Sequence, residues 1–207
     1  MNILALNNIS YGLFVLGTKD KEKLNACIIN TSIQVTINPV KIIITSMNEN
    51  ETCKMLKESN TFALSILDNT CTFDTIKHFG YQSGRNVDKF AKYPFLLDFN
   101  GNPYLKSQVC SVISGKINSS VDLGTHTLFI ADVQDAIITS DNPPLTYAYY
   151  QKKIKPKQII NKEKKIIGWR CKICGFEIMD KELPKDFTCP VCGHPIEDFE
   201  PIYDTSN

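Results

Sequence analysis

The sequence carries almost no net charge: 23 lysines and arginines balance 22 aspartates and glutamates over 207 residues, a formal +1 at pH 7. That balance gives no global pull toward nucleic acid or an anionic membrane, so a charged partner has to be met by a local patch. No apolar run approaches the roughly 20 residues of a membrane-spanning helix. The first residues, Met1-Asn2-Ile3-Leu4-Ala5-Leu6-Asn7-Asn8, lack the basic start and small-residue cleavage site of a secretory signal. Together these absences predict a soluble, cytoplasmic protein. Neither G-x-G-x-x-G nor G-x-x-x-x-G-K-[ST] occurs, which removes the Rossmann and P-loop nucleotide folds. There is no internal repeat or low-complexity tract. No histidine sits in an E-x-x-H pair, so a carboxylate di-iron bundle is not indicated, and His78 and His194 read as structural or surface residues.

Cysteine, by contrast, is plentiful. Cys27, Cys53, Cys71 and Cys110 are scattered, whereas Cys171, Cys174, Cys189 and Cys192 form two C-x-x-C pairs near the end of the chain. In a reducing compartment this pattern fits one metal site plus ordinary thiols better than a disulfide framework.

From Tyr11 to about Thr139 the sequence reads mainly as strands. Tyr11 to Gly17 is β-rich and ends at a turn-like Thr18 to Lys21; Leu24 to Ile37 continues the pattern, Pro39 interrupts it, and Val40 to Thr45 resumes it. Asn48 or Asn50 can cap a helix running through Lys57, Thr61 to Leu67 is a strand, and a second helix starts near Thr72 and ends by Gly80. Beyond a loop from Tyr81 to Pro94, long strands are predicted around Gln108 to Ile117 and Thr127 to Ile138. Many strands with few short helices favour a closed or partly closed barrel, because closure removes unpaired edges. The fold class is therefore mainly β, with residues 1–150 as the barrel, 151–166 as a lysine-rich linker and 167–207 as a small metal-knuckle domain. The lysines of the linker are a solvated spacer or, alternatively, a surface that attracts an acidic partner.

Segment Trp169 to Phe176 and segment Phe187 to Gly193 are near-copies of one motif. Each C-x-x-C turn brings two thiolates to one side, and the glycine that follows, Gly175 or Gly193, permits the positive φ that turns backbone amides toward sulfur. Two such turns make a tetrahedral four-sulfur cage. A tail of about 40 residues buries too little to fold unaided, so a bound metal supplies much of its stability. Spacing alone leans toward structural zinc. Trp169, Phe176, Phe187 and Phe199 flank the ligands closely, as a redox-tuning apolar shell or as a mini-core. Trp169-Arg-Cys-x-x-Cys-Gly-Phe, then Leu183-Pro-x-Asp-Phe-x-Cys-Pro-Val-Cys-Gly, then Asp198-Phe-Glu-Pro201 closely resembles rubredoxins, with an inter-pair loop of the shorter kind found in rubredoxin modules fused to larger redox proteins. The resemblance implies one iron ion cycling between ferrous and ferric states, with zinc as the alternative metal.

Three segments of the larger region have the polarity of a phosphate-bearing cofactor site: Asn25 to Gln34, Ser46 to Thr52 at a strand-to-helix junction, and the arginine-bearing loop Ser83 to Asn86. Singly, each is an ordinary cap or turn. In this order, over about Tyr11 to Tyr150, they resemble the flavin reductase-like, FMN-binding split-barrel family. The resemblance implies a Greek-key split barrel, usually a homodimer with FMN near the subunit interface. It implies that Asn25, Ile29, Asn30, Thr31 and Ser32 line the isoalloxazine and ribityl chain. Ser46, Met47, Asn48 and Thr52 then hold the phosphate end, and Phe79, Ser83 and Arg85 complete the pocket. Gly124-Thr-His126 matches a family segment in which a glycine, an acid and a histidine lie beside the flavin. His126 is the candidate catalytic residue, set against the equal reading of a strand histidine satisfied by its neighbours. Thr125 stands where the acid is common, which weakens direct NAD(P)H oxidation and favours electron uptake from another protein.

A split barrel followed by a short rubredoxin resembles the high-molecular-weight rubredoxins of anaerobic bacteria. The implied function is intracellular electron transport. An NAD(P)H-dependent rubredoxin reductase is the implied donor, and a flavodiiron protein reducing oxygen or nitric oxide the implied acceptor. The chief rival is an NAD(P)H:flavin oxidoreductase whose tail binds structural zinc. A nucleic-acid-binding zinc ribbon is disfavoured because the tail, with Glu177, Asp180, Glu182, Asp186, Glu197, Asp198 and Glu200, has more acids than bases.

Overall fold

Two strands at opposite ends of one sheet are joined by only two residues, and this short link dictates the architecture. In the computed structural model, which describes residues 3–156 and 166–203, the chain divides into two units. One is Ile9–Lys155, and the other comprises the described residues of Met1–Asn8 and Pro156–Asn207. The larger unit contains β1 (Phe14–Asp20), β2 (Lys23–Ile29), β3 (Ser32–Ile37), β4 (Val40–Met47), α1 (Glu51–Ser59), β5 (Thr61–Leu67) and α2 (Phe73–Gly80). It continues through β6 (Phe95–Leu97), β7 (Pro103–Leu105), β8 (Val109–Asp122) and β9 (His126–Ile138). Seven strands form an antiparallel sheet in the order β2-β1-β5-β8-β9-β4-β3. Laid flat, that order would hold β2 and β3 about 29 Å apart, at roughly 4.8 Å per strand spacing. The link Asn30-Thr31 reaches at most about 11 Å from Ile29 to Ser32. The sheet therefore curls until its two ends meet, giving a Greek-key split barrel closed on one side by a covalent seam rather than a β2–β3 ladder.

Strand periodicity divides the apolar residues into two cores. Along β1, Phe14 and Leu16 join Cys27, Ile29, Ile42, Ile44, Phe62, Leu64 and Phe129 inside the barrel. Leu13 and Val15 face the opposite way, into a second cluster with Ala26, Leu67, Ile76, Phe79, Phe90 and Leu105. Successive side chains of a strand point to opposite faces, so β1, β2 and β5, buried on both sides, read as continuous apolar runs. Helix α1 buries Cys53 and Leu56 in the barrel interior, while α2 covers the outer core with Ile76 and Phe79. Asn60, with φ 57°, ends α1 in the left-handed conformation and returns its N–H to Leu56 O.

Several boundaries differ from the sequence reading. β1 runs through Asp20, so the turn falls at Lys21-Glu22, where Lys21 takes φ 53°. The run from Leu24 to Ile37 breaks at Asn30 because the seam has to be crossed there. β8 extends to Asp122, pairing with β9 beyond the point where β5 stops at Thr61. The segment expected to open the linker at Gln151 is instead part of a π-helical turn, Tyr150–Ile154, following the helical turn Tyr147–Tyr149. It is held because Tyr150 is buried in the outer core and Ile154 packs against that core. Lys157, Lys162, Lys164 and Lys165 lie outside the described residues.

The smaller unit has a three-stranded sheet in the order β11-β10-β12, formed by β10 (Ile166–Cys171), β11 (Glu177–Ile178) and β12 (Phe199–Tyr203). Among the described residues no helix is long and apolar enough to cross a membrane.

Candidate metal centre and anion-binding rim

The two C-x-x-C turns of the smaller unit have the same backbone bonding. Cys171 N donates to Phe176 O at 2.7 Å and Gly175 N to Cys171 O at 2.8 Å; Cys189 N donates to His194 O at 2.7 Å and Gly193 N to Cys189 O at 2.8 Å. Gly175 and Gly193 have φ of 79° and 70°. A Cβ on either would meet nothing within 4 Å, so backbone conformation, not space, requires glycine there. The turns face each other. All four sulfurs lie within 4.8 Å of one another, with Cys171 to Cys192 at 3.6 Å and Cys174 to Cys189 at 3.5 Å. A tetrahedral site with metal–sulfur bonds of about 2.3 Å has edges of about 3.8 Å, so the cage is shaped for a metal ion and too wide for a disulfide.

Four cysteine sulfurs are a donor set for a soft metal cation. Within the cluster the Cys171 thiol is lowered, first by its hydrogen bond with Cys192, and Cys192 is pushed up by the same bond, while Cys174 is raised, first by burial. Trp169, Cys171, Cys189 and Phe199 are buried together, and Phe176, Phe187 and Leu183 pack around them. Phe187 meets Phe199 edge-on at 5.3 Å. The aromatic shell is thus also the core of this unit, and the ligand sulfurs belong to it.

On the barrel, a rim of polar groups runs from the end of β4 to the β8–β9 turn. Asn48 is its hub. Its Nδ2 donates to Gly124 O at 2.8 Å and to Asp122 Oδ1 at 3.2 Å, its Oδ1 accepts from the Thr127 hydroxyl at 2.6 Å, and its backbone N–H reaches Thr125 O. His126 lies opposite Met47 in the β4–β9 ladder, with its Nδ1 2.9 Å from Thr125 Oγ1. The rim then follows the first turn of α1. Asn50 stands at the N-cap without a side-chain cap bond, and the Cys53 N–H turns back to Asn50 O at 3.0 Å; the earlier N–H groups of such a helix start are the kind that can take an anion. Thr52 Oγ1 accepts from Asn25 Nδ2 at 3.0 Å, the Arg85 guanidinium donates to Glu49 O at 2.7 Å, and its Nε lies 3.5 Å from Glu51. Ser46 shares the barrel-facing side of β4 with Ile42 and Ile44, and its buried hydroxyl lies beside the Cys27 and Cys53 thiols. An uncapped helix start with an arginine beside it fits a phosphate-bearing ligand.

Comparison with known proteins bears directly on both features. Residues 6–157 match the flavin reductase like domain family, and residues 169–200 match the rubrerythrin, rubredoxin-like domain family. The high molecular weight rubredoxin of Moorella thermoacetica is 30% identical over an alignment spanning 98% of this chain and 100% of that protein. The chain belongs to the high molecular weight rubredoxin family. The ferric-chelate reductase (NAD(P)H) of Archaeoglobus fulgidus is 33% identical over 72% of this chain and 89% of its own. Among solved structures, the Streptomyces globisporus NADH:FAD oxidoreductase SgcE6 superposes with a TM-score of 0.63, covering 69% of this chain and 84% of that one at 19% identity. That likeness is one of fold.

As a high molecular weight rubredoxin, the chain carries a flavin-binding fold and an iron-type four-cysteine site. The structure brings Asn25, Met47, Asn48, Thr52, Arg85 and His126 onto the contiguous rim just described. Ile29 is buried at the end of β2, Asn30 and Thr31 form the seam, and Ser32 begins β3 opposite Ile44. Phe79 is not brought to the rim: it is fully buried among His78, Phe90 and Tyr93 in the outer core. Ser83 is turned onto its own loop, its hydroxyl accepting from Arg85 N. Sequence reasoning missed Asp122 and Thr127, the partners of Asn48. Asp122-Leu-Gly124 has the form of an Asx turn, a signal available in the sequence; the acid sought at Thr125 thus has a neighbour three residues earlier. The Asp122 carboxyl is held below its usual range by the Gly124 N–H and then by Asn48.

Proposed function

We propose that the chain is an intracellular electron-transfer flavorubredoxin, with FMN on the barrel rim and one iron ion held by Cys171, Cys174, Cys189 and Cys192. The observation that carries this reading is the pairing, on one chain, of a flavin-reductase barrel with a cage of four sulfurs that all lie within 4.8 Å of one another, a size that suits a single metal ion. A flavin accepts electrons in pairs and a four-thiolate iron takes one, so the fusion converts two-electron donors to one-electron delivery. In this reading Asn25, Ser46, Met47, Asn48, Thr52, Ser83 and Arg85 hold the phosphate and ribityl end. Ile29, Asn30, Thr31 and Ser32 at the seam border the ring system, and His126 faces the reacting edge. The donor is an NAD(P)H-dependent rubredoxin reductase and the acceptor a flavodiiron-type protein. All eight cysteines are unpaired, which supports a reducing, intracellular setting. A homodimer is supported by the edge strand β3, whose Ile33, Val35 and Ile37 are all exposed, Ile37 to 83%.

A second reading, direct NAD(P)H oxidation by the barrel, is favoured by the 33% identity to the Archaeoglobus NAD(P)H-dependent reductase and by Asp122 in the histidine turn. One experiment separates them. Freshly isolated protein is expected to show flavin absorption with a red iron–thiolate spectrum that bleaches on reduction, and metal analysis is expected to find iron. Rapid bleaching by NAD(P)H without a reductase establishes the second reading, and absence of both flavin and iron defeats both.

A further inference from the structure

Lys89 is buried to 3% exposure, a rare state for an ammonium group. Its Nζ donates to Ala26 O in β2 at 2.8 Å and to Phe79 O in the last turn of α2 at 2.9 Å. Among the described residues no carboxylate pairs with it. Burial lowers its pKa by disfavouring the charged form, an effect that its two carbonyl acceptors oppose. Burying an unpaired charge is costly, so its position calls for a reason, and the loop it terminates supplies one.

That loop begins at Ser83. The backbone of Gly84 lies flat against Asn25: a Cβ on Gly84 would come within 2.2 Å of Asn25 Oδ1. Asn25 in turn donates to Thr52 in the first turn of α1. Arg85 reaches across to Glu49 O and Glu51 at the same helix start. At the other end of the loop, the carbonyl of Lys89 accepts from His78 Nε2 at 2.7 Å, and its ammonium group closes on β2 and α2. The loop that carries Arg85 is thus fastened at its far end by an ammonium group bonded to both a strand and a helix.

We propose that Lys89 is a positioning residue for the phosphate end of the bound flavin, pinning loop 83–89 to β2 and α2 so that Arg85 stays opposite the first turn of α1. The inference rests on the assignment of the flavin phosphate to that helix start. Its consequence is selective: Lys89 acts on recognition of the phosphate, not on binding of the ring system.

The test is titration of the flavin-stripped full chain with FMN and with riboflavin, followed by fluorescence quenching. The unaltered chain is expected to favour FMN by about tenfold to a hundredfold, the scale of one or two charge-assisted hydrogen bonds. Lys89→Met is expected to narrow that preference about tenfold, and Lys89→Arg, which keeps the charge and the donors, to recover most of it. Equal weakening of FMN and riboflavin in Lys89→Met overturns the proposal, since a packing role makes no distinction between them. If Lys89→Met does not fold, Lys89→Gln, too short and uncharged to hold both carbonyls, takes its place, and equal weakening of FMN and riboflavin there overturns the proposal. Should the unaltered chain bind riboflavin as tightly as FMN, the phosphate assignment itself falls, a failure distinct from that of Lys89.

Discussion

The side-chain oxygen of Asn48 accepts the hydroxyl proton of Thr127 at 2.6 Å, tying the end of β4 to β9 beside the histidine turn. The same amide holds Gly124 and Asp122, so one side chain braces the whole turn that carries His126. Asn48→Ala is expected to leave the buried Thr127 hydroxyl without its acceptor, at a cost of about 1–3 kcal/mol, while water replaces the exposed bonds to Gly124 and Asp122. Denaturant unfolding measures the loss, and flavin retention after gel filtration is expected to fall with it.

Trp169 is the single tryptophan of the chain and lies in the core of the smaller unit. Its emission therefore reports that unit alone. The tail of about 40 residues lies at the size below which a chain usually needs a metal or disulfide to fold. Stripping the metal with a chelator is expected to shift tryptophan emission to the red while the far-ultraviolet strand signal of the barrel persists. An unshifted emission would show that the aromatic core holds without the ion.

Gly193→Ala places a Cβ where φ is 70°. Left-handed backbone costs an L-residue about 1–2 kcal/mol, so metal loss to a chelator is expected to quicken by about tenfold. Gly175→Ala is expected to behave alike, because the two turns share one bonding pattern. Stopped-flow absorbance in the presence of chelator checks both.

Asp68 is buried, which raises its pKa, but hydrogen bonds from Thr70, Asn142 and Ser140 outweigh burial and hold it below the usual carboxylate range. A depressed folded pKa means the carboxylate stabilises the fold above its unfolded pKa of about 3.9, and that contribution is lost as pH falls through the folded value. Asp68→Asn is expected to lower stability at pH 7 and to flatten the acid side of the stability curve. Melting temperatures from pH 7 to pH 2 decide it.

Ile37 and Ile33 stand exposed on an edge strand. If that strand forms the subunit contact, Ile33→Glu combined with Ile37→Lys is expected to convert a dimer to monomer, as read by light scattering. An unchanged mass would place the contact elsewhere.

Much of this architecture was legible in the sequence. The β-rich runs marked β1, β2, β4 and β5 because buried strands advertise themselves by apolar content, and Thr72 to Gly80 framed α2 through its end signals. The metal cage was the clearest feature, since ligand spacing and turn glycines are local properties. The rim was only partly legible. Asn48 and Thr52 were found, but Thr127 and Lys89 become partners only when β9 and loop 83–89 fold against β4 and β2, contacts separated by 79 and 63 residues. Phe79 was misassigned because an aromatic near a polar loop looks like a pocket wall until the second core beneath α2 is known.

The seam at Asn30-Thr31 has a mechanical consequence. Closure between β2 and β3 is covalent and not hydrogen-bonded, so the barrel can widen there without breaking a rung of any ladder. The wall beside Ile29 and Ser32 thus lacks the kind of ladder that joins β8 to β9 from Ser111 to Asp122. A flat ring inserted along the seam would displace a hinge, not a sheet.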